Sequence, residues 1–374
     1  ISIDTTNSGK DLATVFNENA ASVDLIFTLT PASEKDVSIG YEVDITAATA
    51  ATLDQDYEDL GATGTITIGA GKTDTTFTVK ITDDLVDEDQ QTITIDLSSG
   101  TENNVLMSNL INTYTMKIND NDDVPSVWFG TSESSDNERN TGTNTIQSFT
   151  VTISDTSEKI VSIPYVISTD ELRPATLGTD YISSASSVSI APGNGRSTVD
   201  ISMTILGDDK DEYDQTITIN LGPTDGDIAN GKLHESNETS YLYTITDDDD
   251  PPSASISGSG AAAEEASQTI TITLDADSEK SATFTLTNTD ITATEITDYT
   301  ISAKTDITIS AGDTENSTVT VNGEDDSIYE TDETFRVVLA ADSNATLGTS
   351  SLTVTLTDDD PKSKCSFETT GITF

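Results

Sequence analysis

Carboxylates recur in this chain at fixed distances from a threonine. The block Asp325-Asp326-Ser327-Ile328-Tyr329-Glu330-Thr331-Asp332-Glu333-Thr334 is an acidic turn that runs into an alternating strand. Two earlier blocks match it, Asp83-Asp84-Leu85-Val86-Asp87-Glu88-Asp89-Gln90-Gln91-Thr92 and Asp208-Asp209-Lys210-Asp211-Glu212-Tyr213-Asp214-Gln215-Thr216. Each has an Asp eight residues before its Thr and a Glu four before it. Other landmarks keep step. The Tyr of an Asp-Tyr pair (Asp56-Tyr57, Asp180-Tyr181, Asp298-Tyr299) lies 35 residues before the same Thr, and a Ser-Glu-Lys triplet begins upstream at Ser33, Ser157 and Ser278. Downstream, a strand ends in Asp120-Asn121-Asp122-Asp123, Asp247-Asp248-Asp249-Asp250 or Asp358-Asp359-Asp360, with Pro125, Pro251 or Pro361 close behind.

The strand ending at Asp120 and the one beginning at Thr92 are expected to be antiparallel neighbours, which sets the end of one beside the start of the other. The loop carrying Asp56 and an acidic residue of the first loop (Glu18, Glu138, Glu264 or Glu265) complete a tip to which four loops bring carboxylates. So many like charges cannot stay ionised together without shifted pKa values or a counter-ion. A cation resolves the conflict, and a cage made only of oxygens suits Ca²⁺ better than Zn²⁺, which takes His or Cys, or Mg²⁺, which needs a strict octahedron. Any one Asp-Asp pair is ordinarily a solvated turn; threefold recurrence at fixed spacing argues against that for the set. The tyrosines of the Asp-Tyr pairs read as packing residues. No EF-hand spacing occurs.

An enzyme is not expected. His234 is the only histidine and Cys365 the only cysteine, so no Ser-His-Asp or Cys-His constellation can be built in each copy. A carboxylate pair of the glycosidase kind is a poor fit, because the same acids recur in all three copies.

The elements that must position these residues are strands. Phe77, Val79 and Ile81 alternate with polar neighbours, as do Val199, Ile201, Met203 and Ile205, and Val319 and Val321. In the first copy the pattern predicts seven strands, at 1–4, 23–30, 37–45, 63–68, 75–81, 92–98 and 114–119, half-buried and antiparallel. Seven short strands in a repeat of roughly 120 residues point to a two-sheet sandwich. The fold class is therefore all-β: three tandem immunoglobulin-like Greek-key sandwiches arranged as an elongated rod. Boundaries fall where acidic clusters meet Pro, giving modules at 1–124, 125–251 and 252–361, with 362–374 as the start of a truncated fourth module or a tail.

Sixteen basic against 67 acidic residues give a net charge of −51 over 374 residues. That charge argues against nucleic acid and anionic membrane surfaces as partners. One cysteine leaves no internal disulfide to form, and no apolar run is long enough for direct membrane insertion. With no signal peptide and no initiator Met at Ile1, the chain reads as an excised piece of a longer polypeptide.

The ordered combination of Asp-Tyr, then Ile307–Gly312 (Ile66–Gly71 and Val188–Gly193 are variants), then the acidic turn, then Thr-Asp-Asp-Asp-Pro resembles Calx-beta modules. The resemblance spans residues 1–361 as three copies and implies Ca²⁺-binding sandwiches of the kind found in sodium–calcium exchangers and large bacterial surface proteins. It places ligands at Asp298, Asp325, Asp326, Glu330, Glu333, Asp358, Asp359 and Asp360 in the third copy, with Glu264 added from the first loop. In the first copy they fall on Asp56, Asp83, Asp84, Glu88, Asp120 and Asp122, with Glu18 added and Gln91 where the third copy has Glu333. In the second they fall on Asp180, Asp208, Glu212, Asp247, Asp248 and Asp249, while Gly207 and Gln215 replace two carboxylates. The third copy is expected to bind most Ca²⁺ and the second least. The expected function is a calcium-binding extracellular structural and adhesion array at the cell surface, in which Ca²⁺ rigidifies loops and junctions. Its expected partners are calcium ions, the neighbouring modules of the same chain and a cell-surface or matrix ligand. The alternatives are a Ca²⁺-sensing regulatory domain of a membrane protein, or a surface module that binds carbohydrate or another ligand.

Overall fold

The structure, a computed structural model, describes residues 2–3, 13–47, 49–58, 60–103, 113–169, 172–193, 198–222, 228–368 and 371. Alternation builds it. In Gln215–Leu221, Ile217, Ile219 and Leu221 are buried while Thr216, Thr218 and Asn220 are half-exposed, and each fully buried aliphatic contributes about 1.5–3 kcal/mol. Every strand ladder among the described residues stays inside one module. Three separate cores result, from Val23 to Ile118, from Val127 to Ile245 and from Ala254 to Leu356.

Each module is two facing sheets. In the second, Tyr181–Ile182, Thr198–Ile205, Thr145–Ile153, Ser126–Phe129 and Lys232–Leu233 follow one another in one sheet. Glu133–Asn137, Ser240–Thr246, Gln215–Leu221, Val161–Thr169 and Ser187–Ile190 form the other. The third module repeats this order with ten equivalent strands, and among the described residues the first has a three-stranded sheet facing a five-stranded one. The three sandwiches are immunoglobulin-like, and the large side chains that fill them include Phe27, Tyr114, Phe149, Tyr243, Phe284 and Phe335. Tyr57, Tyr181 and Tyr299 are buried among them.

The opening segment of each module departs from the expected antiparallel pattern. It is split between the sheets: in the second module Ser126–Phe129 pairs antiparallel with Thr145–Ile153, whereas Glu133–Asn137 crosses over and pairs parallel with the closing strand Ser240–Thr246. Ala13–Asn17 and Ala261–Ala263 make the same parallel ladder, with Thr113–Asn119 and Ser351–Thr357. Ala13–Asn17 is thus an additional strand of the first module, outside the seven expected. Such short edge segments have one neighbour and little apolar alternation, so period-two patterning does not mark them. Parallel contacts also join Lys232–Leu233 to Ser126–Phe129 and Thr346–Leu347 to Ser253–Gly258.

The only helical element among the described residues is a single 3₁₀ turn, Glu18–Ala20, and none is long and apolar enough to cross a membrane. The described residues of the tail, 362–368 and 371, carry no strand.

Candidate metal centres

The parallel ladder sets the first carboxylate of each centre. Asn17 stands opposite Asn119, Asn137 opposite Thr246 and Ala263 opposite Thr357. The residues that follow on the two strands, Glu18 and Asp120, Glu138 and Asp247, Glu264 and Asp358, therefore leave the sheet side by side. An antiparallel ladder on the other flank pairs Gln91 with Ile118, Gln215 with Ile245 and Glu333 with Leu356, which brings the acidic turn to the same end. Within that turn the first strictly repeated Asp shapes the backbone. Asp84, Asp208 and Asp326 accept the N–H two residues on, at 2.7, 2.9 and 2.6 Å, the local bond that favours Asp in turns.

One oxygen each from Glu18, Asp120 and Asp122 lies within 4.8 Å of the others. The second module gathers Glu138, Asp247 and Asp249 in the same way, and the third Glu264, Asp358 and Asp360. The third module has two further sets, Glu264 with Asp325 and Asp359, and Asp298 with Glu330 and Glu333.

The remaining expected residues surround these sets. Asp56, Asp180 and Asp298 accept the N–H of Thr52, Thr176 and Thr294, so the Asp of each Asp-Tyr pair closes its own turn with one oxygen. Asp84 donates its N–H to Glu18 Oε1 at 3.0 Å, and Glu88 donates its N–H to Asp120 Oδ2 at 3.2 Å. Asp83 accepts from Asn121 at 3.4 Å, and Asp248 accepts from the Arg139 N–H at 3.1 Å. Asp208 and Glu212 lie in the field of Glu138, and Asp326 in that of Glu264.

The differences between copies have physical causes. Gln91 and Gln215 donate their amide N–H to Glu88 at 2.9 Å and to Glu212 at 2.7 Å, so a neutral donor meets a charge that in the third module faces the carboxylate of Glu333. Gly207 is more than a missing ligand. A Cβ there would stand 2.1 Å from the Arg139 carbonyl oxygen, so glycine lets the loop carrying Glu138 approach. Glu138, named as a first-loop acid but not among the ligands expected for the second copy, is brought beside Asp247 by the ladder register.

Burial lifts these acids, and repulsion from their neighbours adds to the effect. Glu18, Glu212 and Glu264 are raised to about 7, and Glu88 and Glu138 to about 8. Asp56, Asp122, Asp180, Asp249, Glu330, Glu333 and Asp360 are raised for the same reasons. Buried oxygens without a hydrogen-bond partner sit in each centre: Glu18 Oε2 and Asp122 Oδ2, Glu138 Oε1 and Asp249 Oδ2, Glu264 Oε2 and Asp360 Oδ2. Leaving such groups unmet is costly, and a hard cation with oxygen ligands meets them. No His or Cys belongs to any of the sets. The donors present fit Ca²⁺.

These shifts fix the sign of a pH dependence. Between the ordinary Glu value of about 4.3 and folded values of about 7 to 8, the metal-free native chain holds protons that the unfolded chain has released. Stability therefore falls as pH rises through that window and is regained on acidification. Asp44, Asp209 and Glu295 are lowered by hydrogen bonds, and their opposite contribution is confined to lower pH. Melting curves in metal-stripped buffer should shift upward from about pH 8 to about pH 5. A midpoint that drops over the same interval would mean the tip acids are ionised without strain.

The Calx-beta domain family matches the chain at residues 10–124, 120–249 and 247–360. Among solved structures, the calcium-binding domain CBD12 of CALX1.1 is 17% identical over 62% of this chain and 96% of its own, with a TM-score of 0.27. A putative carbohydrate-binding protein from Bacteroides ovatus is 9% identical over 58% of this chain and 64% of its own, with a TM-score of 0.30. The class 5 fimbriae chaperone CfaA is 10% identical over 62% of this chain and 99% of its own, with a TM-score of 0.22. No curated protein sequence matches the chain significantly.

Proposed function

The chain belongs to the Calx-beta family, as three modules in tandem, and from that premise we propose that it is a calcium-binding structural and adhesive array at the cell surface. Ca²⁺ binds at the tip of each module and rigidifies the loops and the junction that follows. The observation that carries this reading is the buried Glu oxygen without a partner that recurs at each tip, on Glu18, Glu138 and Glu264. Bound calcium supplies positive charge to oxygens that otherwise share it with no donor. The chain's residues do the rest. Glu18, Asp120 and Asp122 hold the first ion, Glu138, Asp247 and Asp249 the second, and the sets around Glu264 and around Asp298 those of the third module. Gln91 and Gln215 keep the flanking turns closed where the third module uses a further carboxylate.

A catalytic step has no place in this reading, because the same groups recur as a structural set in every module. The net charge of −51 favours a calcium-rich exterior, where modules with dissociation constants of about 10⁻⁴ to 10⁻³ M are filled. Calorimetric titration of the full chain tests it. Calcium uptake should exceed one ion per module, because the third has three sets, and Gln91→Glu should add to it. Dissociation constants in the millimolar range support the surface array, whereas values of about 10⁻⁷ to 10⁻⁵ M support the calcium sensor instead. No heat of binding at millimolar calcium sinks both.

A further inference from the structure

The Ser-Glu-Lys triplet is a recurring landmark that the metal centres do not use. In its second and third copies it touches the preceding module. Ser157 Oγ donates to Asp87 Oδ2 at 2.8 Å, the Glu158 N–H donates to the Asp87 carbonyl at 3.0 Å, and Lys159 Nζ donates to Asp87 Oδ1 at 2.7 Å. At the next junction Ser278 Oγ donates to Asp211 Oδ2 at 2.5 Å, the Glu279 N–H to the Asp211 carbonyl at 3.0 Å, and Lys280 Nζ to Asp211 Oδ1 at 2.7 Å. The same lysines reach the metal centres' edge: Lys159 is 3.8 Å from Asp120 Oδ2, and Lys280 is 2.8 Å from Asp247 Oδ2. Asp87 and Asp211 are 2% and 3% exposed, yet neither belongs to a carboxylate set.

We propose that this triplet is a metal-independent latch, in which a lysine from the following module acts as the built-in cation for a buried Asp of the preceding one. The Asp five residues before the repeat's Thr is the counterpart. The latch turn is pre-organised, because Lys159 and Lys280 donate their own N–H to the triplet's Ser Oγ at 3.0 and 2.9 Å. Lys35 does the same to Ser33 at 3.0 Å, with no preceding module described against it. Docking therefore costs little ordering. A buried ion pair adds little net stability, but removing one partner strands a buried charge, so its main effect is to fix how two bodies meet. In the third module the counterpart position is Tyr329, exposed, with Lys362 Nζ 5.4 Å from its ring. The chemistry required by the latch is absent there.

The test uses the full chain with Cys365→Ser and one spin-label pair across each junction, measured by double electron–electron resonance in chelator. The unsubstituted latch should give one narrow distance distribution at both junctions. Lys159→Met should broaden the first junction alone, at least twofold in width, and Lys280→Met the second alone. Circular dichroism should show the sandwiches intact, because the three cores are separate. Native junctions as broad in chelator as those of the variants overturn the latch, and so do variants as narrow as the native chain. The further narrowing that calcium causes in the native chain reports on the proposed function alone, so the two readings fail separately.

Discussion

Withdrawing calcium should lower the melting midpoints of the chain by about 10 °C or more. A single site held at 100 times its dissociation constant stabilises by about 2.7 kcal/mol, and in domains near this size each kcal/mol is worth roughly 4 °C. The structure adds an order to the transitions. Among the described residues three carboxylate sets meet in the third module against one in each of the others, so the third carries the most unrelieved repulsion without metal and the most ions with it. Differential scanning calorimetry should show its transition moving furthest on adding calcium. Because a chain of several modules need not unfold in one step, the transitions are to be resolved individually. Midpoints that coincide with and without calcium would falsify the assignment of these sets as metal centres.

Glu138→Gln should change stability with opposite sign in the two conditions. In chelator the glutamate is a buried acid held up to about 8, with an unpartnered Oε1 and with Asp208, Glu212, Asp247 and Asp249 around it. An amide of nearly the same shape needs neither the buried charge nor the proton taken up on folding to avoid it, so the metal-free second module should melt higher. In calcium the same change removes a ligand. If affinity drops on the order of 100-fold, the linkage stabilisation of about 2.7 kcal/mol nearly vanishes at a calcium level that saturates the native site. Glu264→Gln should lose more, because Glu264 belongs to two sets. A loss of equal size in both conditions would identify the glutamate as a plain hydrogen-bonding group.

Recurrence alone exposed most of this site. Asp84, Glu88 and their counterparts stand at fixed offsets from a Thr, and alternation such as that of Ile217, Ile219 and Leu221 marks the strands that carry them. Which first-loop acid joins each site was legible only in part: Glu18 and Glu264 were assigned, whereas Glu138 was named but left out of the second copy's ligands. The choice depends on the parallel register of Glu133–Asn137 and Ala261–Ala263, one all polar and the other all alanine, so neither has a face to read. Asp87 was equally obscure. It lies in the same acidic turn as Asp84, but its lysine comes from another module, and spacing within a repeat says nothing about how repeats meet. Gly207 looked like a lost ligand because a one-letter comparison cannot show that backbone fills the space.

The split opening segment also has a mechanical meaning. Glu133–Asn137 and Ser240–Thr246 run parallel over five paired residues, one near the entry of the module and the other at its exit. Tension transmitted along the polypeptide reaches the first segment at its N-terminal end and leaves the second at its C-terminal end. It slides the two past each other, so the bonds between them are strained together and not opened one by one. The carboxylate tip lies just beyond the exit end of that sliding pair, where a bound ion would rivet the two strands against being drawn apart.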